Sequence, residues 1–145
     1  MLSKRSKYAI KAVLALARPR KTEAVRIADL ARAEQIPKKF LEGILLTLRN
    51  NGLLQSRKGQ QGGYLLARPP GDIYVGQIVR LLDGPLAPIP CASETAYIRC
   101  ADCPDESRCA VRITMRAVRD ATAAILDNTS VQLLLRKTDG RSRRR

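Results

Sequence analysis

Apolar residues in the first fifty positions recur at steps of three and four. Ile10, Val13, Leu14 and Ala17 make one face of a helix over 3–18, closed by Pro19. Ile27, Leu30 and Ala31 repeat the step in a short second helix. After a turn at Glu34-Gln35-Ile36, a third helix opens with Pro37 in its first turn, where a missing N–H does no harm. Phe40, Leu41, Ile44, Leu45 and Leu48 form its inner face, and Asn51-Gly52 supplies a left-handed stop. The pattern then changes. Two short apolar runs, 53–54 and 64–67, flank the polar, glycine-rich segment 55–63, which predicts a β-hairpin with a basic tip. Val75, Ile78, Val79 and Leu82 mark a fourth helix, stopped by Gly84-Pro85.

Three helices followed by such a hairpin predict a winged helix-turn-helix, whose third helix enters the major groove while the wing lies on the backbone or minor groove. Residues 85–109 show no periodicity and are expected to be a loop. From Ala110 onward, Val111, Met115, Val118, Thr122 and Ile125 alternate steps of four and three, the seam by which one helix packs on another. A helix of this kind either folds back on its own domain or pairs with a second copy, and the reading taken here is a homodimer. The expected fold is therefore mainly α with a small β-hairpin wing. A DNA-binding winged helix-turn-helix spans 1–84, a cysteine-rich loop 85–109, a dimerisation helix 110–135 and a basic disordered tail 136–145.

Charge sharpens this picture. The chain of 145 residues carries a formal net charge of +14, with 15 basic and 4 acidic side chains in 1–70 but 6 basic and 8 acidic in 71–135. A polyanion should therefore meet the first seventy residues, and Arg141, Arg143, Arg144 and Arg145 add non-specific attraction. With no Trp and one Phe, base stacking on aromatics is disfavoured and double-stranded DNA is the expected partner. Lys38, Lys39 and Phe40 open the third helix. Glu42, one turn on, either accepts from a cytosine amino group or merely pairs with Lys38. Arg57, Lys58, Gly59, Gln60 and Gln61 form the tip of the wing. The apolar run after Lys4, Arg5 and Lys7 is broken by Lys11, too short for an export signal, and no stretch is long enough for a membrane span, so a cytoplasmic protein is expected.

The chain's four cysteines, Cys91, Cys100, Cys103 and Cys109, all fall in the loop, and there is no histidine. In a reducing compartment such clustering points to a thiolate site rather than a disulfide framework. Iron-sulfur clusters and zinc are equally served by four thiolates, and a metal-free thiol switch is a third option. A small electron carrier or redox protein would also use such a loop, although it needs neither the wing nor a lysine-rich third helix. Without a histidine base, and with no Ser, Lys or carboxylate grouping, no catalytic residue is expected and the chain is not read as an enzyme.

Ser6-Lys7-Tyr8-Ala9, the run from Ile36 through Glu42, LRNNGLL at 48–54 and above all the wing signature from Ser56 to Ala67 resemble the Rrf family of bacterial winged-helix regulators, which includes iron-sulfur and nitric-oxide-sensitive members. The likeness spans nearly the whole chain. It implies a homodimeric transcriptional regulator, expected to be a repressor, with a cluster-binding loop just before each dimer helix. That helix ends around 127–131, where a last short helix begins. By the same likeness the cluster ligands fall on Cys91, Cys103 and Cys109 and a base-reading glutamate on Glu42. The cluster implied is iron-sulfur, 4Fe-4S in preference to 2Fe-2S. Two departures stand out. Cys100 is an extra thiol in a lengthened gap, and the histidine that some members carry three residues after the last cysteine is Arg112. A histidine-ligated 2Fe-2S cluster is thereby excluded in that form, which leaves Cys100, Asp102, Asp105, a residue from elsewhere or solvent as the fourth ligand.

Overall fold

The computed structural model describes residues 2–18 and 23–142, the last two by backbone alone. Pro19 and the tail residues Arg143, Arg144 and Arg145 lie outside the described residues. Helix α1 (Lys4–Ala17) starts where the Ser3 hydroxyl accepts from the Ser6 backbone amide at 3.1 Å. Ala9, Ala12, Val13 and Ala15 are buried along it, and such small residues let α3 and α4 approach closely. Helix α2 (Ile27–Glu34) ends at Gln35, whose left-handed φ of 54° turns Ile36 into the core. Helix α3 (Lys38–Asn50) begins one residue after Pro37.

Leu41, Ile44, Leu45 and Leu48 face the core as their spacing predicts, but Phe40 does not. At 3.6 residues per turn it stands roughly 90° off the middle of that face. It is 41% exposed and meets Tyr8 edge-on, with ring centroids 5.7 Å apart. After the turn at Gly52, strands β1 (Leu54–Arg57) and β2 (Gly63–Leu66) pair antiparallel, from Leu54↔Leu66 to Arg57↔Gly63. The ribbon reaches further into the polar segment than expected because Gln55, Ser56 and Arg57 join the ladder through their backbone while their side chains are exposed. Val25 and Tyr64 exchange two backbone hydrogen bonds of 2.8 Å, which tie the wing to the entrance of α2.

Helix α4 (Val75–Asp83) closes the domain. The carboxylate of Asp83 accepts from the Ser3 backbone amide at 3.0 Å and from its hydroxyl, fastening the end of α4 to the start of α1. The core is formed by α1, α3 and α4 around Leu41, Leu45, Ile73 and Ile78.

Helix α5 (Ala110–Asp127) leaves this domain, and the only residue it buries is Arg119. The segment 110–135 divides between Asp127 and Val131, where the family resemblance implies that the long helix ends and a last short one begins. The Asn128 amide and Thr129 hydroxyl bond back to the carbonyls of Ala124 and Ile125, at 2.8 and 2.7 Å, ending α5. Ser130 then caps α6 (Val131–Ser142) through the Leu133 amide. Local hydrogen bonding by short polar side chains is a known competitor of helix continuation. Val131 donates to the Ile73 carbonyl at 2.8 Å and lies 1% exposed, so α6 returns to pack on the helices of the first eighty residues. Residues 136–142, expected to be disordered, continue that helix. No helix among the described residues is long and apolar enough to cross a membrane.

Candidate thiolate pocket and nucleic-acid surface

All four cysteines line one cavity of about 610 Å³, walled by Ile89, Pro104 and Val111 and by Asp102, Asp105, Glu106, Arg108 and Arg112. Its two sides are held differently. Cys91 sits in a tight turn over 90–92 and is 7% exposed, while Cys109 is the N-cap residue of α5. Cys100 is exposed and Cys103 half-buried in the intervening segment. The backbone amide of Arg112 at the start of α5 draws the Cys109 thiol below its ordinary range, as a helix N-terminus does for a thiolate. Desolvation, then a hydrogen bond with Cys109, push the neighbouring Cys103 thiol up. The Cys100 thiol donates to Asp102 Oδ1 at 2.8 Å, which keeps its proton on and holds the Asp102 carboxyl low.

Four thiols on one cavity are a donor set that suits an iron-sulfur cluster and a zinc ion alike. Soft thiolates suit iron, two guanidinium groups stand by to balance cluster charge, and part of the lining is apolar. Among the described residues no three His, Cys, Asp or Glu side chains converge on one metal-ion position.

The pocket is bolted to α5 by two arginines that sequence reasoning did not single out as structural. Arg112 Nε donates to the Cys91 carbonyl at 2.9 Å and Arg119 Nη1 to the Ala92 carbonyl at 2.5 Å. Arg119 also pairs with Asp120 at 2.5 Å and Glu94 at 3.3 Å. Their seven-residue spacing was legible, yet nothing in sequence separates a buried arginine from a solvated one.

At the other end of the domain, Lys38, Glu42, Arg57 and Gly59 share one cleft of about 370 Å³ with Arg26, Ile27 and Ala28. The start of α3 and the wing thus meet at one surface. Lys39, Lys58, Gln60 and Gln61 are exposed around it. Gln60 and Gln61 face an adjoining cleft beside Glu23 and Asp29, and the Gln60 carbonyl accepts from Arg26 Nη2. Arg26 was missed because it precedes α2, away from any motif. Glu42 makes no ion pair with Lys38 among the described residues, so the pairing considered for it is not formed. On α5, Val111, Val118 and Ile125 are 61%, 43% and 66% exposed, and Met115 and Thr122 half-buried. Among the described residues most of the seam is open to solvent.

A winged helix with a basic reading edge, a projecting helix and a cysteine pocket at that helix's foot is the build of a DNA-binding transcriptional regulator. Residues 2–137 match the family described as Rrf2, iron-dependent transcriptional regulator, and the chain belongs to that family. It is 39% identical over 138 residues to the rrf2-like HTH-type regulator of Rhodobacter capsulatus, covering 93% of this chain and 92% of that one. The HTH-type regulator CymR of Bacillus subtilis is 29% identical over 96% of this chain and 92% of its own length. Its solved structure, titled as the global cysteine regulator, superposes with a TM-score of 0.74 at 27% identity, over 93% and 95% of the two chains. T. potens IscR superposes with a TM-score of 0.75 at 25% identity, over 95% and 88%. These relatives are regulators rather than enzymes, which sets aside the electron-carrier reading of the loop.

Proposed function

We propose that this regulator binds operator DNA as a homodimer and that an iron-sulfur cluster at the Cys91–Cys109 pocket controls that binding, most simply as a cytoplasmic repressor. The observation that carries the reading is the convergence of all four thiols on one cavity whose wall is the first turn of α5. Cys91, Cys103 and Cys109 are the principal ligands, Cys100 is the fourth, and the cluster is 4Fe-4S. When bound, it supplies a site that oxidants or nitric oxide can damage and that iron supply can fill. Lys38, Lys39, Phe40 and Glu42 of α3 meet the major groove. Arg57, Lys58, Gly59, Gln60 and Gln61 approach the backbone or minor groove. Val111, Met115, Val118, Thr122 and Ile125 pair α5 with its copy, which sets the spacing of the two half-sites.

The test is an anaerobic absorbance spectrum with iron, sulfide and zinc analysis on one sample. Iron and acid-labile sulfide at about four each per chain support the reading. Zinc at about one per chain without sulfide would replace it by a zinc-based regulator of the same fold. A second reading rests on Cys103 and Cys109 lining the same pocket, a pair that could serve as a thiol switch. It gains support if the metal-free protein binds DNA and loses binding when those two oxidise to a disulfide.

A further inference from the structure

We infer that Arg112 and Arg119 are positioning residues that make the Cys91 turn and α5 one mechanical unit, so that the state of the thiol pocket is read out in the pose of α5. This rests on the pocket being the sensing site. Between Cys91 and Cys109, the residues from Glu94 to Asp102 are all exposed, Cys100 among them. By contrast, the Cys91 carbonyl accepts from Arg112 and the next carbonyl, of Ala92, from Arg119. Those two arginines stand two turns apart on α5, about 10.5 Å along the axis. Two anchors that far apart fix orientation as well as distance, which one anchor cannot do.

Arg119 is suited to the task because it is itself immobilised. It is the one residue that α5 buries, at 8% exposure, and the carboxylates of Asp120 and Glu94 hold its charge. Glu94 lies two residues beyond Ala92, so the guanidinium grips the turn at a carbonyl and at a side chain together. Cys91, through the two arginines, and Cys109, by continuity of chain, thus both belong to α5, while Cys100 on the other side of the pocket is exposed. Any displacement of the Cys91 turn relative to the winged domain therefore carries α5 with it. The joint on which it moves is the Arg80–Asp127 contact at the far end of α5.

The test uses full-length protein in two arms. In the metal-free protein, each cysteine's alkylation rate is followed by mass spectrometry. Cys91 should be protected relative to Cys100, and Arg119→Gln and, separately, Arg112→Gln should raise Cys91 labelling about tenfold with Cys100 unchanged. Arg119→Lys, which keeps the charge but one donor group, should recover part of the protection. In the second arm, Arg112→Gln and Arg119→Gln are loaded with cluster and their duplex affinities compared with and without it. The ratio seen in the parent protein should shrink towards one while the absorbance of the cluster persists. Unchanged Cys91 labelling in both glutamine variants, or the parent's ratio retained, overturns the inference. A parent protein that holds no cluster overturns the proposed function instead, and the labelling arm still decides the role of the arginines. Should Arg119→Gln unfold, the half-buried Arg112 variant carries both arms.

Discussion

Gly63 shows how narrowly single residues are constrained near the reading edge. Its φ is +147°, and a Cβ there would collide with the Val25 backbone just where that backbone bonds to the wing. Gly63→Ala should cost about 2 kcal/mol or more, because conformation and contact both oppose it, and urea unfolding will measure the loss. Gly59 is also left-handed, at φ +100°, but open space surrounds it, so an alanine there should cost less. The glycine-rich wing was legible as a turn, but which glycine is irreplaceable was not, since the partner strand of Val25 is remote in sequence. Phe40 misled for a related reason. An aromatic beside a run of buried leucines reads as core, whereas here its ring rests on Tyr8 at the surface.

Among elements, α5 is held at both ends. At its far end Arg80 bonds both oxygens of Asp127, at 2.5 and 2.9 Å, which lowers the Asp127 carboxyl below its ordinary range. Partial burial opposes the charge on Asp83, but the hydrogen bonds from the Ser3 amide and hydroxyl outweigh it and lower that carboxyl too. Both groups therefore stabilise the fold above the unfolded carboxylate value of about 3.9, and lose that contribution as pH falls through their folded values. Arg80 and Asp127 are 39% and 43% exposed, so solvent screening limits their share to under about 1 kcal/mol. Thermal melts between pH 7 and pH 3 should drop below about pH 4, and Asp127→Asn should flatten part of that drop. The apolar seam makes a different demand. Ile125→Glu alters an exposed position and should leave monomer stability within about 0.5 kcal/mol. By light scattering it should convert a dimer into a monomer, with operator affinity reduced about a hundredfold. A variant that stays dimeric would argue that α5 serves another purpose. Helix periodicity announced α1, α2, α3, α4 and α5 because each has one apolar face. It did not announce the extent of α6, whose basic, polar second half gives no stripe to read.

In the whole molecule the two sites lie at opposite ends of a connected path: thiol pocket, α5, the Arg80–Asp127 clasp, α4, and the winged domain on which α6 packs. The gathering of the four cysteines in one place and the presence of a DNA reader were legible from their clustering in sequence and from an uneven distribution of charge. The connection was not, because it is made by backbone carbonyls and by arginines that look like any surface arginine until they are buried. The central claim is that occupancy of the pocket sets DNA affinity. The direct measurement is a titration of one anaerobic sample against a duplex selected from a random library, before and after chelation, with iron and sulfide counted in each state. The account predicts affinities that differ at least about tenfold between the two states. Equal affinities with iron and sulfide present in the first state and absent in the second would contradict it.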